Sequence, residues 1–581
     1  MILDVIENSL IIKLTNNKLK PRHKSQLYDW GFSRGLVEGT FHTEKDIEVI
    51  LLKIVDYFDK SKVKYELSDS CRNLLDELLE KRNEFRQLVE IGRDYKNGKF
   101  DYRLFVEHVT FIDQYISRPL KEHQIKASFH LSLVKNGANF SVPGSGKTAV
   151  VLTVFQKLKI RGEVNTLFVV GPPACFGPWK EEFKAVLGKK PNFKILAGGD
   201  RLQRKVEYYN SDKLADIYLT TFQSLLNDQD DIITFFKNKK VNAFLVIDEA
   251  HYIKQVNGNW ANAALKIAIN SNYRCILTGT PIPKSYVDLY NLFDFLWPND
   301  NPLSSEEKIR LRILEEQKDY KDAREILEQT LGPLFYRVRK YDLGLKPQVF
   351  HEPNIIKMNP FERKIYDAIT KKIRTYAKED YLRNIDLVLK LRRGRMIRLR
   401  QCLSYTKLLT TAIDDYDESI IEQDHDLKYL ISNYDKSEKP AKLHLLLDII
   451  KEFKSKKEKI VIWSYFIGTI SLIQRKITEL GFYCKKIIGE IPIERSSVHE
   501  EETREGIINE FISDKSGLDI LIANPAACAE SISLHKTCHS AIYYDLSYNC
   551  AQYLQSLDRI HRVGGILAPI STEHEIRVKA G

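Results

Sequence analysis

The sequence predicts an α/β protein built from two lobes, each with a parallel β-sheet, together with helical insertions and a mainly helical N-terminal domain. Short apolar runs, such as residues 241–247 and 459–464, end abruptly in polar residues, as buried parallel strands do. Segments with helical spacing, such as residues 149–158, alternate with these runs. A chain of 581 residues also exceeds what one hydrophobic core supports, so three or four domains are expected.

A glycine-rich loop, Val142-Pro-Gly-Ser-Gly-Lys-Thr148, separates an apolar, strand-like segment from a helical one. In that setting backbone N–H groups and a helix N-terminus hold phosphates. The residues predicted to bind ATP here are Gly144, Ser145, Gly146, Lys147 and Thr148. Lys147 would bridge the terminal phosphates and Thr148 would ligate Mg²⁺. The general pattern has glycine where this chain has Ser141, and a flexible turn without a ligand is the alternative.

Two acids, Asp248 and Glu249, follow the predicted buried strand at residues 241–247. Ligands of open α/β sheets bind at the carboxyl ends of the strands. Hydrolysis of ATP requires a carboxylate that holds Mg²⁺ and a second group that positions the attacking water. We assign the first role to Asp248 and the second to Glu249. The alternative is that both acids merely cap the next helix.

Two hydroxyl groups flank a glycine in Leu277-Thr-Gly-Thr-Pro281, after a third predicted strand. Threonine at a strand end is usually a turn former. In an ATP-driven enzyme, Thr278 and Thr280 would instead couple the nucleotide site to a polymer site through hydrogen bonds.

The C-terminal part contains Gln555-Ser-Leu-Asp-Arg-Ile-His-Arg562, in which Gln555, Arg559 and Arg562 share one face of a predicted helix. A guanidinium group stabilises the charge on a transferring phosphoryl group, and its removal lowers the rate by roughly 10³–10⁵. We predict catalytic roles for these three residues. The alternative is a solvated basic face.

In this order the motifs resemble those of the SWI/SNF-type ATPases of helicase superfamily two, prokaryotic type, which carry a DEAH box and translocate on double-stranded DNA. The resemblance extends from about residue 118 to 565 and is most specific in Leu277-Thr-Gly-Thr-Pro-Ile282. It implies two RecA-like lobes, ATP with Mg²⁺ bound between them, and double-stranded DNA as the partner.

Two further segments resemble family motifs and imply roles for single residues. Leu120-Lys-Glu-His-Gln124 resembles the glutamine motif, which implies that Gln124 reads adenine. Leu219-Thr-Thr-Phe222 resembles a DNA-contacting motif, which implies that Thr220 and Thr221 contact DNA.

The chain also departs from the family pattern. Cys528, Ala529 and Ser531 stand where the family has glycines. Residues 565–581 do not resemble the strand and helix that normally fold back over the second lobe.

Charge is concentrated in one helical segment. Residues 361–410 contain 14 Lys or Arg and five Asp or Glu, a local excess of 14 − 5 = +9, against a net charge of +11 for the chain. Arg392, Arg393 and Arg395 lie in its densest part. A charge run is usually a solvated face. The position of this segment between two predicted lobes favours contact with nucleic acid phosphates.

The remaining composition restricts the protein class. A hydrophobic content of 43% with 29% charged residues is typical of a globular protein. The eight cysteines form no Cys-x-x-Cys pair, which argues against a zinc site or a disulfide framework and indicates a reducing, cytoplasmic location. No apolar run reaches about 18 residues, so we expect no membrane partner.

We therefore predict five segments along the chain. They are a mainly helical accessory domain (1–115), a first RecA-like lobe that binds ATP (116–300), a helical insertion with a basic DNA-facing segment (301–439), a second RecA-like lobe (440–565) and an unassigned tail (566–581).

The predicted function is that of an ATP-dependent double-stranded DNA translocase, which couples hydrolysis to movement along DNA or to remodelling of DNA–protein complexes. A strand-separating DNA or RNA helicase would share the same ATP chemistry. A nucleotide-regulated nucleic-acid-binding scaffold with little turnover is an alternative of another class. The Lys-, Ile- and Asn-rich composition suggests a bacterial or archaeal source, with other proteins of a restriction or phage-defence system as further partners.

Overall fold

The computed structural model describes most of the chain. Outside the described residues lie positions 7–8, 15–18, 36, 38, 45–46, 211–212, 280, 282–284, 299, 345–347, 380–384, 411–424, 492–502, 529–533, 536, 547–549, 562–571 and 580–581, and the side chains of 376–379, 385–391, 393, 505, 528, 550–551 and 572–579. Thr280, Arg562, Ala529 and Ser531, and the side chains of Arg393 and Cys528, therefore lie outside the described part.

The chain forms two compact units. The first contains Met1–Phe140, Thr148–Gly171 and Glu182–Arg337, and the second contains Ser141–Lys147, Pro172–Glu181 and Val338–Gly581. The segment Ser141–Lys147 belongs to the second unit, where it forms hydrogen bonds with Val338.

A five-stranded sheet begins the first unit, with the strand order β3-β4-β2-β1-β5. Its strands are β1 (Ile2–Ile6), β2 (Ser9–Lys13), β3 (Ser33–Arg34), β4 (Thr40–Thr43) and β5 (Glu66–Leu67). All pairs are antiparallel except β1 with β5. Leu10 and Ile12 of β2 face the core, as the two-residue period of a strand requires.

The described residues of this N-terminal region also form four α-helices: α1 (Pro21–Asp29), α2 (Ile47–Lys60), α3 (Asp69–Lys96) and α4 (Tyr102–Tyr115). In α2 the residues Ile50, Leu51, Ile54 and Phe58 recur at helical spacing and are buried. The N-terminal region is thus mainly helical, as predicted. The sheet was not predicted, because its strands are only two to five residues long.

A seven-stranded sheet follows, with the order β12-β6-β11-β10-β7-β9-β8 and parallel pairing throughout. Its strands are β6 (Gly137–Asn139), β7 (Thr166–Val170), β8 (Phe193–Leu196), β9 (Ile217–Thr220), β10 (Ala243–Asp248), β11 (Tyr273–Leu277) and β12 (Phe335–Tyr336). Every residue of β7 is buried, which explains its unbroken apolar run.

In this part of the chain the described residues form ten α-helices. They are α5 (Glu122–Val134), α6 (Lys147–Ile160), α7 (Phe176–Leu187), α8 (Arg201–Tyr209), α9 (Phe222–Asn227), α10 (Gln229–Lys237), α11 (Asn259–Ala268), α12 (Tyr290–Leu296), α13 (Ser305–Glu316) and α14 (Tyr320–Thr330).

The second unit contains another parallel sheet, with the order β13-β19-β18-β15-β17-β16 and with β14 also paired to β19. Its strands are β13 (Val349–Phe350), β14 (Asn354–Lys357), β15 (Ile460–Trp463), β16 (Cys484–Ile487), β17 (Ile520–Ala523), β18 (Ser540–Tyr543) and β19 (Thr572–Lys579). The tail that sequence analysis left unassigned therefore supplies a strand of this sheet.

Among the described residues of Val338–Gly581, nine α-helices are found. They are α15 (Pro360–Glu379), α16 (Ile385–Ser404), α17 (His425–Ser432), α18 (Tyr434–Ser437), α19 (Ala441–Lys456), α20 (Ile467–Glu479), α21 (Arg504–Ile512), α22 (Pro525–Cys528) and α23 (Cys550–Ile560). Two parallel sheets with flanking helices confirm the predicted α/β fold with two RecA-like lobes. Among the described helices, none has both the length and the apolar character needed to cross a membrane.

Candidate nucleotide-binding and catalytic site

The phosphate loop has the backbone conformation that its glycines allow. Gly144 and Gly146 have φ angles of +81° and +84°, values that side-chain-bearing residues rarely adopt. Immediately after the loop, α6 begins at Lys147, so its first N–H groups lack helical acceptors. A helix N-terminus preceded by such a loop suits an anion.

Ser141 and Lys147 interact within this loop. The Nζ of Lys147 donates a hydrogen bond to the Ser141 carbonyl at 3.0 Å. The Ser141 hydroxyl accepts one from the Val338 N–H at 3.0 Å. The residue that stands in place of the expected glycine thus forms a side-chain hydrogen bond with Val338, a contact that the sequence pattern did not reveal.

The two acids lie at the carboxyl end of β10, at Asp248 and just beyond it. Glu249 has φ +52° and ψ +52°, a left-handed conformation that is unusual for a residue other than glycine. Its N–H donates to the Asp248 carboxylate at 2.9 Å. Its own carboxylate lies 3.2 Å from Nδ1 of His251, and both side chains are largely buried. No role for His251 follows from the sequence alone, although this residue ends the segment Asp248-Glu-Ala-His251.

Thr278 follows β11, which lies between β6 and β10 in the sheet. Thr278 is buried, and its N–H donates to the Asn139 carbonyl at 3.2 Å. Because β6, β11 and β10 are parallel, the carboxyl ends of these strands lie on one edge of the sheet. This is the edge on which open α/β sheets bind their ligands.

The side chains predicted to hold Mg²⁺ suit a hard cation that prefers oxygen ligands and is usually held by one or two carboxylates together with phosphate oxygens. Asp248 and Thr148 supply a carboxylate and a hydroxyl in the first unit. Among the described residues, no group of three or more His, Cys, Asp or Glu side chains could hold a metal ion alone.

Gln124 lies in the first turn of α5 and is buried. Its Oε1 accepts a hydrogen bond from the Lys121 N–H at 3.0 Å, which orients the amide. The threonine pair is also engaged. The buried Thr220 hydroxyl donates to the Leu196 carbonyl at 2.7 Å, whereas Thr221 caps α9.

Gln555 and Arg559 lie on α23 and are both buried. The Arg559 Nε donates a hydrogen bond to the Gln555 carbonyl at 3.0 Å, and Arg559 is only 2% exposed. Asp558, next to Arg559, forms an ion pair with Lys340 at 2.5 Å. No role for either member of that pair follows from the sequence alone.

The basic segment on α16 is not a uniform face. Arg392 is exposed, whereas Arg395 is 3% exposed and Arg398 is also buried. Arg398 donates to the Leu409 carbonyl at 3.3 Å, and the Arg400 guanidinium lies 5.2 Å from the centre of the Tyr465 ring. Part of this charge is therefore buried within the second unit, whereas the Arg392 side chain reaches solvent.

Comparisons with known proteins place two domains on this chain. The family model of the SNF2-related domain matches residues 127–412, and the family model of the helicase conserved C-terminal domain matches residues 441–564. Among the solved structures, "Sulfolobus solfataricus SWI2/SNF2 ATPase core in complex with dsDNA" shares 23% identity with a TM-score of 0.37, and the match covers 80% of this chain and 89% of that one.

Several curated relatives are about a quarter identical to this chain over the aligned residues. An uncharacterized ATP-dependent helicase of Mycoplasma genitalium is 25% identical over 72% of this chain and 36% of its own length. The ATP-dependent helicase FUN30 of Saccharomyces cerevisiae is 24% identical over 72% of this chain and 41% of its own length. The chain thus spans less than half the length of these relatives. It contains an SNF2-related domain followed by a helicase conserved C-terminal domain, and SNF2-family ATP-dependent helicases are its homologues.

Proposed function

We propose that this protein is a DNA-dependent ATPase that translocates along double-stranded DNA. The observation that carries the proposal is the edge of the first parallel sheet, where a glycine-rich loop follows β6 and an acid pair follows β10. The left-handed Glu249 supports it, because strained backbone is retained mainly where a site requires it.

The proposed reaction is attack of water on the γ-phosphorus of ATP, which breaks the bond to the β,γ-bridging oxygen and releases ADP and phosphate. Glu249 orients the water and accepts its proton, and Nδ1 of His251 lies 3.2 Å from that carboxylate. Lys147 and the loop N–H groups bind the phosphate oxygens. Thr148 and Asp248 would hold Mg²⁺, which supplies charge neutralisation on the phosphates.

Arg559, with Arg562, is proposed to stabilise the charge of the transition state. Gln555 is proposed to assist on the same helix, where its carbonyl accepts a hydrogen bond from the Arg559 Nε. Gln124 is proposed to contact adenine, with its amide oriented by the Lys121 N–H. Thr278 is proposed to couple the nucleotide to the polymer, because β11 lies between the strands that precede the loop and the acid pair.

Double-stranded DNA is the proposed polymer. Support comes from the SNF2-related domain, from the net charge of +11, and from exposed cations such as Arg392. Contacts of this kind engage phosphates, so binding should be independent of sequence and sensitive to salt. Thr221, at the N-terminus of α9, is a better placed contact than the fully buried Thr220.

The test compares ATP turnover with duplex DNA, single-stranded DNA and RNA, and adds displacement of a third strand from a triplex as the measure of translocation. Stimulation by duplex together with triplex displacement is expected. Stimulation by single strands with duplex unwinding would identify a strand-separating helicase. Background turnover with every polymer would identify a nucleotide-regulated scaffold.

A further inference from the structure

We infer that residues 338–340 form a strut in the second unit, which positions the phosphate loop and the helix α23 for hydrolysis. The inference rests on the proposed ATPase function and names three positioning residues, Ser141, Lys340 and Asp558. All the contacts that carry it lie within the second unit.

The first contact joins the strut to the phosphate loop. The Val142 N–H donates to the Val338 carbonyl at 3.1 Å, and the Val338 N–H donates to the Ser141 hydroxyl at 3.0 Å. In a regular parallel ladder a backbone carbonyl would accept from the Val338 N–H. Here a side chain does so, while the Ser141 carbonyl accepts from the Lys147 ammonium at 3.0 Å.

The identity of residue 141 matters because Ser141 and Val338 are both buried. The glycine of the general phosphate-loop pattern has no hydroxyl and would leave the Val338 N–H without this acceptor. A buried donor that loses its acceptor is unfavourable. Ser141 is therefore a substitution with a specific structural consequence, since it fastens the loop that carries Lys147 to the strut.

The second contact joins the strut to α23. Lys340 lies two residues after Val338, and its Nζ is 2.5 Å from the Asp558 carboxylate, whose side chain is only 6% exposed. A buried carboxylate depends strongly on its counter-ion. Asp558 immediately precedes Arg559 on the helix, so the ion pair restrains the backbone from which the proposed charge-stabilising arginine extends.

These contacts form a continuous path from Lys147 through Ser141, Val338 and Lys340 to Asp558. One end of the path is Lys147 and the other lies next to Arg559, and the proposed reaction requires accurate positioning of both side chains. Small misplacements of such groups lower turnover more than binding. We therefore expect loss of the strut to lower kcat while nucleotide affinity is retained.

The experiment is a double-mutant cycle with Lys340→Met, Asp558→Asn and the double variant, in the full chain. DNA-stimulated kcat is measured together with the affinity for a fluorescent ATP analogue. Each single variant should lower kcat roughly 10- to 100-fold. Because the two residues act through one ion pair, the kcat of the double variant should not fall below that of the less active single variant. Affinity should stay within about twofold.

Two controls separate positioning from folding. Lys454 and Asp519 form an ion pair of the same length, 2.5 Å, in the same unit, and Lys454→Met with Asp519→Asn should leave kcat unchanged. The charge exchange Lys340→Glu with Asp558→Lys should restore part of the lost turnover. At residue 141, Ser141→Thr keeps a hydroxyl and should retain turnover better than Ser141→Ala.

If DNA stimulates turnover of the wild-type protein but Lys340→Met and Ser141→Ala both retain its kcat, the strut is refuted and the proposed ATPase function is not. Equal losses of kcat and affinity would also overturn it, because they would indicate general damage. A wild-type protein without polymer-stimulated turnover would instead overturn the proposed function.

Discussion

The Glu249 carboxylate lies 3.2 Å from Nδ1 of His251. The backbone of Glu249 itself has a left-handed φ of +52°. A residue with a side chain pays about 1–3 kcal/mol to hold such a conformation. The Glu249 N–H is at the same time bonded to the Asp248 carboxylate at 2.9 Å. The two acids are therefore fixed relative to each other by the backbone, and this geometry favours distinct roles for them.

We predict that Glu249→Gln retains Mg²⁺–ATP binding and loses turnover, because Asp248 keeps the metal while water loses its base. Asp248→Asn should instead lower the Mg²⁺-dependent affinity. Nucleotide titration and steady-state hydrolysis of both variants distinguish the roles. Equal losses of binding would contradict the assignment.

We predict that Lys147→Ala abolishes hydrolysis and weakens nucleotide binding, because within the loop only this side chain offers a cation to the phosphates. Lys126→Ala is a suitable control, since Lys126 forms an exposed pair with Glu122 one helix earlier. Turnover is measured for both variants. Wild-type rates in Lys147→Ala would show that this loop does not bind the phosphates.

We predict that Arg392 and Arg395 differ in their response to alanine substitution, although they lie three residues apart. Arg392→Ala should reduce the slope of log affinity against log salt by about one. Arg395→Ala should lower the stability of the second unit, because its side chain is buried. Salt titrations of DNA binding and thermal unfolding measure these effects. A changed slope for Arg395→Ala alone would reverse the two roles.

We predict opposite effects on stability for two helical glycines. A Cβ atom on Gly92 of α3 would lie 2.3 Å from the Pro333 carbonyl oxygen, so Gly92→Ala should destabilise the first unit by roughly 1–3 kcal/mol. A Cβ atom on Gly394 of α16 would meet nothing within 4 Å, so Gly394→Ala should stabilise its helix by about 0.5–1 kcal/mol. Denaturant unfolding tests both signs, and stabilisation by Gly92→Ala would refute the close packing of α3.

We predict that mild acid destabilises the first unit through buried histidines. The pKa of His108 is lowered to about 3, mainly by burial and to a smaller extent by the nearby Lys157 charge. Burial also lowers the pKa of His130 to about 3. The unfolded chain therefore binds protons that the folded unit does not as pH falls from 6.5 towards 3.

Stability should thus be full above pH 6.5 and decrease below it, by at most about 1.4 kcal/mol per pH unit for each histidine. Denaturation midpoints between pH 7 and pH 5 measure the decrease. His108→Gln should flatten the profile by removing one of the two groups. An unchanged profile in that variant would show that His108 does not contribute.

The local features of the candidate site were predictable from the sequence. The phosphate loop, the acid pair after β10 and the alternation of apolar runs with helical spacing are signals carried by neighbouring residues. A strand, a glycine turn and a helix need no distant partner to be recognised. The two parallel sheets follow because unbroken apolar runs, such as β7, are stable only when both faces are covered.

Other features depended on residues far apart in the chain. The Ser141 hydroxyl accepts a hydrogen bond from the Val338 N–H, 197 positions away in the chain. In the sequence, Ser141 is visible only as a departure from the glycine of the general pattern. The basic run around Arg395 is uniform in composition, but tertiary packing buries some of its arginines and exposes others. Burial and hydrogen-bond partners are properties of the packed elements, so composition identified the charge of this segment and only the tertiary structure decided which cations reach solvent.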